Sequence, residues 1–349
     1  DRSSAASDVY KRQIKGDSMI PGGIFPKTWQ LLVLSKLPGQ GTGNLRKYSS
    51  IEDLGAYSIY DLINSQPHIR NKYSREQIDL AIEDSHKELE LCLDNGVGIY
   101  SENDQNFPKL LRLVPDRPAI IYIKGQQIIS EKSITIIGTR EPTRHGILMA
   151  ERIAEYFSKE GWNVVSGLAL GIDSTAHQCS KNNAGRTTAV MAHGLSSISP
   201  KSNSNLAQEI LNLGGSLISE YSFSTPAYRS HFVKRDRIQA ALSMCTVLIQ
   251  TGITGGSLHA SRAALDYGRI LAFPYPSKTD IAKREPKIQG VLRIINSEPK
   301  ETAAYLECPV SSLSNIFQIN SKDDYGSMIS LMRSRYTTIT HNNRKLIDY

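Results

Sequence analysis

Short apolar runs alternate with amphipathic helical stretches between residues 133 and 275, and this alternation restricts the fold more than any other feature. The helical stretch 146–160, for example, places Ala150, Ile153 and Phe157 on one face. Strand–helix units of this length form a parallel sheet with helices on both faces. The predicted strands are 134–137, 164–166, 188–191, 216–219, 246–249 and 270–273. We therefore predict an α/β fold of the extended Rossmann-like type.

The region before this sheet is predicted to be helical. Its apolar residues recur at helical spacing, at Trp29, Leu32, Val33 and Leu37. The glycine-rich turn LPGQGTG follows at 37–43. It fits a helix-hairpin-helix, in which backbone N–H groups face a phosphate, and it fits slightly better a plain helix corner, which needs glycine just as much. Both interpretations stay open. Together with a helix over 75–95, the turn predicts a small helical domain of the SAM or helix-hairpin-helix type.

These patterns divide the chain into four parts. Residues 1–20 are polar and fit no helical period, so we expect a disordered leader or an artefact of sequence assembly. The helical domain covers 21–95 and the Rossmann-like domain 96–290. Residues 291–349 form a poorly defined C-terminal extension, with a helix near 300–307 and a polar tail.

The overall composition gives weaker constraints. The 349 residues carry a formal net charge of +7, which favours a polyanionic partner. No run approaches the ~20 apolar residues of a membrane helix, and the four cysteines lie too far apart for a CxxC metal site. We expect a cytoplasmic protein with no metal, no other cofactor and no membrane segment.

The loops that follow the predicted strands carry the candidate chemistry, because open parallel sheets bind ligands at the carboxyl ends of their strands. The first loop contains Gly138, Arg140 and Arg144 and enters a helix, which suits an anion. It lacks the GxGxxG pattern, which argues against a dinucleotide oxidoreductase. In the second loop, Asp173 and His177 stand four residues apart, and we interpret them as a structural pair rather than a catalytic one.

The segment 228–238 is the most informative part of the sequence. It gathers cations around the aromatic residues Tyr228 and Phe232, and its only acid is Asp236. Cations bind phosphates and aromatic faces stack on unpaired bases, so this composition favours single-stranded nucleic acid. A solvated basic loop with Phe232 in the core is the alternative. The glycine-rich loop 250–259 offers a second phosphate contact or, equally, close backbone packing.

Taken in order, these motifs resemble the DprA/Smf family of DNA-processing proteins. The resemblance runs from about residue 21 to residue 305. It is carried by IGTR at 137–140, VSGLALGID at 165–173, SEY at 219–221, HFVKRDRI at 231–238 and GGSL at 255–258. The sequence departs from the family at Asp236, where the family usually has asparagine, and it has no clear winged-helix domain.

The resemblance implies a protein that binds single-stranded DNA and hands it to the RecA recombinase during DNA uptake and recombination. It also implies a homodimer and no catalysis. Arg140 and Arg229 should contact neighbouring phosphates, and Phe232 should stack on a base. The glycines expected to let the strand approach are Gly138, Gly167 and Gly255. The cations expected to enlarge the basic pocket are Lys234, Arg235 and Arg237. The remaining predicted site residues are Thr139, Ser166, Gly256 and Ser257.

Two other functions remain as alternatives. One is a Rossmann-like sensor of a small nucleotide, for example in phage defence. The other is an enzyme that cleaves nucleoside monophosphates at the glycosidic bond. Such enzymes usually carry a PGGxGT-type loop followed by a glutamate, and residues 254–257 resemble that loop only faintly.

Overall fold

A computed structural model describes residues 24–126, 131–184 and 186–343 of the chain. The chain forms two compact units. Unit 1 contains the described part of Asp1–Phe107, with Pro118–Ile123 and Glu220–Phe223. Unit 2 contains Pro108–Arg117 and the described parts of Lys124–Ser219 and Ser224–Tyr349. The leader expected at 1–20 lies outside the described residues, and the division of the chain into four parts stays a prediction.

Unit 1 is mainly helical. Its elements are α1 (Pro26–Lys36), α2 (Thr42–Ser49), α3 (Ile59–Ser65), α4 (Arg75–Asp94), β1 (Val97–Ser101) and most of β2 (Ile120–Gly125). A capping box at the start of α4 satisfies two backbone N–H groups, those of Ser74 and Gln77. The predicted glycine turn joins α1 to α2, and Gly39 has a φ of +75°, which glycine adopts without steric cost.

Unit 2 contains seven parallel strands in the order β6-β5-β4-β3-β7-β8-β9. Their bounds are β3 Ser133–Ile137, β4 Asn163–Ser166, β5 Thr187–Val190, β6 Ser216–Ser219, β7 Cys245–Leu248, β8 Ile270–Pro274 and β9 Ile316–Ile319. The six predicted strands are confirmed as β3 to β8. The direction of the strand order reverses at β3, which has β4 on one side and β7 on the other. In this fold class, such a switch point is where ligands bind.

The helices of unit 2 cover both faces of this sheet, as predicted. They are α5 Lys109–Arg112, α6 Arg144–Lys159, α7 Ile172–Ser180, α8 Ser204–Asn212, α9 Arg229–Ala241, α10 Leu258–Asp266, α11 Lys278–Ala282, α12 Gln289–Asn296, α13 Pro299–Tyr305 and α14 Asp324–Asn342. Ile136 of β3 packs in one core cluster with Phe157 of α6. Its neighbour Ile137 packs in another with Leu265 of α10 and Val291 of α12. Side chains alternate between the two faces of a strand, so the sheet separates two cores.

The segment after residue 290, for which the sequence predicted only a helix near 300–307, is part of unit 2. Strand β9 pairs in parallel with β8, with Leu271 opposite Ile316. Met328 and Met332 of α14 are buried in the core cluster that contains Phe157. Within the described ranges, no helix is long and apolar enough to cross a membrane.

Candidate nucleic-acid interface

An open cavity of about 850 Å³ lies in unit 2 where strands β3 and β7 end. Its walls are the loops after β3, β4 and β7, one face of α9, and Lys287. Most of the predicted site residues line it, namely Gly138, Thr139, Arg140, Arg229, Phe232, Arg235, Gly255, Gly256 and Ser257. The structure therefore brings together residues that are more than a hundred positions apart in the sequence, at the switch point of the sheet.

Short backbone contacts hold the loop after β3 in place. The N–H of Thr139 donates to the carbonyl of Gln250 at 2.9 Å, and the N–H of Ile172 donates to the carbonyl of Thr139 at 3.2 Å. A Cβ atom on Gly138 would lie 2.7 Å from Cγ1 of Ile172, so glycine is needed here for packing. These contacts position Arg140, the next residue, at the edge of the cavity.

Arg140 and Phe232 meet in the cavity. The guanidinium carbon of Arg140 lies 5.8 Å from the centroid of the Phe232 ring, within the range of a cation–π contact. Arg140 and Arg229 are exposed, and Phe232 is half-buried. The ring is thus neither sealed in the core nor isolated on the surface. A ring with cations beside it is the arrangement expected for a base and its flanking phosphates.

Arg235 lines the cavity, but its charge is already satisfied. Its side chain is only 5% exposed and forms an ion pair with Asp236, Nε to Oδ1, at 3.2 Å. Nη1 donates to the carbonyl of Gly167 at 2.8 Å and also to that of Val190. The prediction that Arg235 adds a free positive charge to the pocket is therefore wrong. Arg235 holds the ends of β4 and β5 against α9.

Four other predicted residues do not line the cavity. Ser166 is buried and donates to the carbonyl of Ile136 at 2.6 Å. A Cβ on Gly167 would overlap Arg235 and Gln239, so this glycine serves packing rather than the approach of a strand. Arg237 pairs with Asp116 at 3.4 Å between Nε and Oδ2. Lys234 is exposed but lies outside the cavity wall, because it occupies a different face of α9.

Comparison with known proteins adds to this geometry. The family model described as DNA recombination-mediator protein A matches residues 98–304, more than half of the chain. This chain belongs to that family. The resemblance to DprA/Smf proteins drawn from the sequence motifs is thereby confirmed.

Individual members of the DNA recombination-mediator protein A family agree with this result. The chain is similar to protein Smf of Synechocystis sp., with 32% identity over 200 residues, which is 56% of the chain and 49% of Smf. It is 33% identical to DNA processing protein DprA of Bacillus subtilis over 184 residues, 52% of the chain and 62% of that protein. The matched region thus spans about half to three fifths of these relatives.

A solved structure of a family member shares the fold. The X-ray structure of DprA from Streptococcus pneumoniae covers 80% of this chain and 99% of its own, with a TM-score of 0.58 and 22% identity. At this identity the likeness supports the fold alone. It agrees with the predicted Rossmann-like α/β class.

Three carboxyl groups line the cavity beside the cations, those of Glu141, Asp173 and Asp236. Asp236 has a side chain that is 15% exposed. Burial raises its pKa to about 6, although Arg235 lowers it. Burial likewise raises the pKa of Asp173, which accepts from the N–H of Gly167 at 3.1 Å. This acidic wall opposes an anion, so the exposed Arg140 and Arg229 have to supply the attraction.

The sequence suggested that Asp173 and His177 form a structural pair, but each of them contacts another partner. While Asp173 binds the backbone of Gly167, Nδ1 of the buried His177 lies 2.7 Å from Oγ1 of Thr187. Burial, reinforced by the charge of Arg235, lowers the pKa of His177 to about 3. This imidazole therefore stays neutral.

Lys287, which the sequence motifs did not predict as a site residue, lies in the 3₁₀ turn Pro286–Ile288 and lines the cavity. Its ammonium pairs with Glu141 at 2.6 Å, and this contact lowers the pKa of the Glu141 carboxyl. No local motif marks Lys287, because its position depends on a contact that spans 146 residues.

Proposed function

We propose that this chain is a non-catalytic protein that binds single-stranded DNA in the cavity at the ends of β3 and β7. The observation that carries the proposal is the meeting of Arg140 with the half-buried ring of Phe232 at the switch point of the sheet. Arg229 adds a second exposed cation. Membership of a family described as a DNA recombination mediator supports DNA as the polyanion.

The form of the cavity favours a single strand over a duplex. Phe232 is recessed, and only a base that has left its stack can present a face to such a ring. Duplex bases are stacked on each other and meet proteins through their edges. Arginine contacts to phosphate and stacking on one ring carry little base specificity, so binding should tolerate many sequences.

The proposal is tested with labelled single-stranded and double-stranded DNA of equal length, in fluorescence anisotropy titrations at several salt concentrations. Arg140→Ala and Arg229→Ala should each weaken binding about tenfold, and each should reduce the slope of log K against log salt by about 0.7. Phe232→Ala should cost ~1–3 kcal/mol with little change in that slope, because it removes stacking and no charge.

Lys234→Ala serves as a matched control, because it removes a charge on the same helix outside the cavity. Preference for the duplex, or equal losses in all four variants, would show that binding is a general effect of net charge. Stabilisation by a mononucleotide alone would support a sensor. Release of adenine from AMP would support a glycosidase.

The partner protein, the oligomeric state and the cellular location of this chain are also part of the proposed function. We propose that the bound strand passes to the RecA recombinase, that the protein acts as a homodimer and that it works in the cytoplasm. Their basis is the family resemblance. A strand-exchange assay tests the first: the protein should speed RecA assembly on DNA, and Arg229→Ala should abolish the gain. Light scattering of the purified chain reports the oligomeric state.

A further inference from the structure

A second cavity, of about 440 Å³, adjoins the first in unit 2. Both are lined by Gly255, and the other residues of the loop 252–257 line one cavity or the other, so the two cavities meet at this loop. The second cavity lies between this loop, helix α10 and the end of α13. Its lining includes His259, Arg262, Arg293, Tyr305 and Glu307. None of these residues belongs to the predicted site.

The chemistry of this cavity resembles that of the first. The guanidinium carbon of Arg293 lies 4.6 Å from the centroid of the Tyr305 ring, a closer cation–π contact than that of Arg140. The phenol donates to the carbonyl of Ile253 at 2.9 Å, which fixes the ring against the shared loop. A fixed ring costs less entropy to use in binding than a mobile one.

The two arginines of this cavity differ in whether a carboxylate neutralises their charge. Arg262 pairs with Glu307 at 3.0 Å, and its Nη2 lies 3.4 Å from the carbonyl of Tyr305. Arg293, by contrast, is exposed and forms no ion pair within the described part of the chain. The cavity therefore keeps a free cation beside an aromatic ring. Its volume lies in the range that holds a small organic ligand such as one nucleotide.

We infer that the second cavity binds a further nucleotide of the same single strand, after the strand has crossed the loop 252–257. Arg293 contacts a phosphate, and the Arg293–Tyr305 pair receives the neighbouring base. This inference rests on the proposed function, because it extends the path of the DNA from the first cavity. The binding site is then longer than the first cavity alone would accommodate.

The test compares oligo-dT strands of increasing length, from about 4 to about 20 nucleotides, by fluorescence anisotropy. Arg293→Ala should leave the shortest strands unaffected, because they fill the first cavity, where more cations lie. It should weaken the longer strands about tenfold and lower their salt slope by about 0.7. Arg293→Lys should restore the slope, since it restores the charge.

The controls separate this inference from the proposed function. Lys300→Ala removes an exposed charge on α13 outside both cavities and should change nothing. Arg229→Ala should weaken strands of every length. If Arg229→Ala behaves so while Arg293→Ala has no effect, or has the same effect on all lengths, the second cavity is not on the path of the strand. If the unaltered protein binds no strand of any length, the proposed function itself is overturned.

Discussion

The carboxyl group of Asp236 stands between the buried Arg235 and the open cavity, so its charge acts on anything that binds there. Its pKa is raised to about 6, mainly by burial, with Arg235 and Arg140 lowering it and Asp173 raising it. The group is therefore ionised above about pH 6 and neutral below. The ionised carboxylate repels phosphate and offsets the positive charge of the exposed arginines. The protonated carboxyl group is neutral and does neither.

At the level of this residue we predict that single-stranded DNA binds more tightly as the pH falls from about 7.5 to about 5.5. Asp236→Asn should bind several-fold more tightly than the unaltered protein at pH 7.5, and it should lose most of the pH dependence. The amide oxygen can still accept from Arg235, so the fold is kept. Anisotropy titrations at constant ionic strength measure both effects. An unchanged pH profile in Asp236→Asn would assign the titration to a histidine instead.

Among the elements, the turn between β4 and α7 sets the shape of the first cavity. Gly171 has a φ of +78°, and a Cβ there would lie 2.5 Å from the carbonyl oxygen of Thr139. The turn thus packs directly against the loop that carries Arg140. A side chain at this position would strain the turn and push that loop outward.

We predict that Gly171→Ala lowers the free energy of unfolding by about 2–4 kcal/mol, from backbone strain and steric overlap together. Urea denaturation followed by circular dichroism measures the loss. Gly256→Ala is the matched control, because a Cβ at Gly256 meets nothing within 4 Å and should leave the stability within about 0.5 kcal/mol. Equal stability of the two variants would mean that the turn does not require glycine at position 171.

At the scale of the whole molecule, the C-terminal segment contributes to the core of unit 2. Met328 of α14 is fully buried, and its sulfur lies 4.0 Å from that of Cys245 on the interior strand β7. Strand β9, just before this helix, extends the sheet. The segment after residue 315 therefore fills space that the rest of the unit leaves open.

We predict that Met328→Ala destabilises the protein by about 2–5 kcal/mol, as expected for a buried methionine replaced by a smaller side chain. Thermal and urea unfolding measure the loss. Ser334→Ala, at an exposed position on the same helix, should change the stability by less than about 0.5 kcal/mol. If Met328→Ala lowers the free energy of unfolding by less than about 1 kcal/mol, α14 does not contribute to the core of unit 2.

The sequence predicted the strands β3 to β8 and the loops after them well, because apolar runs, helical periodicity and glycine turns are local signals. It also identified Arg140, Arg229 and Phe232 as one group. The sequence could not show which of the cationic side chains of α9 face the cavity and which do not. Which of Lys234, Arg235 and Arg237 faces the cavity depends on how the helix is rotated against the sheet.

By itself, the sequence determined the alternating architecture and the family to which the chain belongs, since both are encoded in short motifs and in their order. Tertiary structure alone decided that Arg235 is buried while Arg140 is free. It also placed Lys287 at the first cavity, Arg293 beside Tyr305 in the second, and β9 at the edge of the sheet. The physical reason is that each of these positions depends on contacts between distant segments, and a linear pattern carries no record of such contacts until packing brings the segments together.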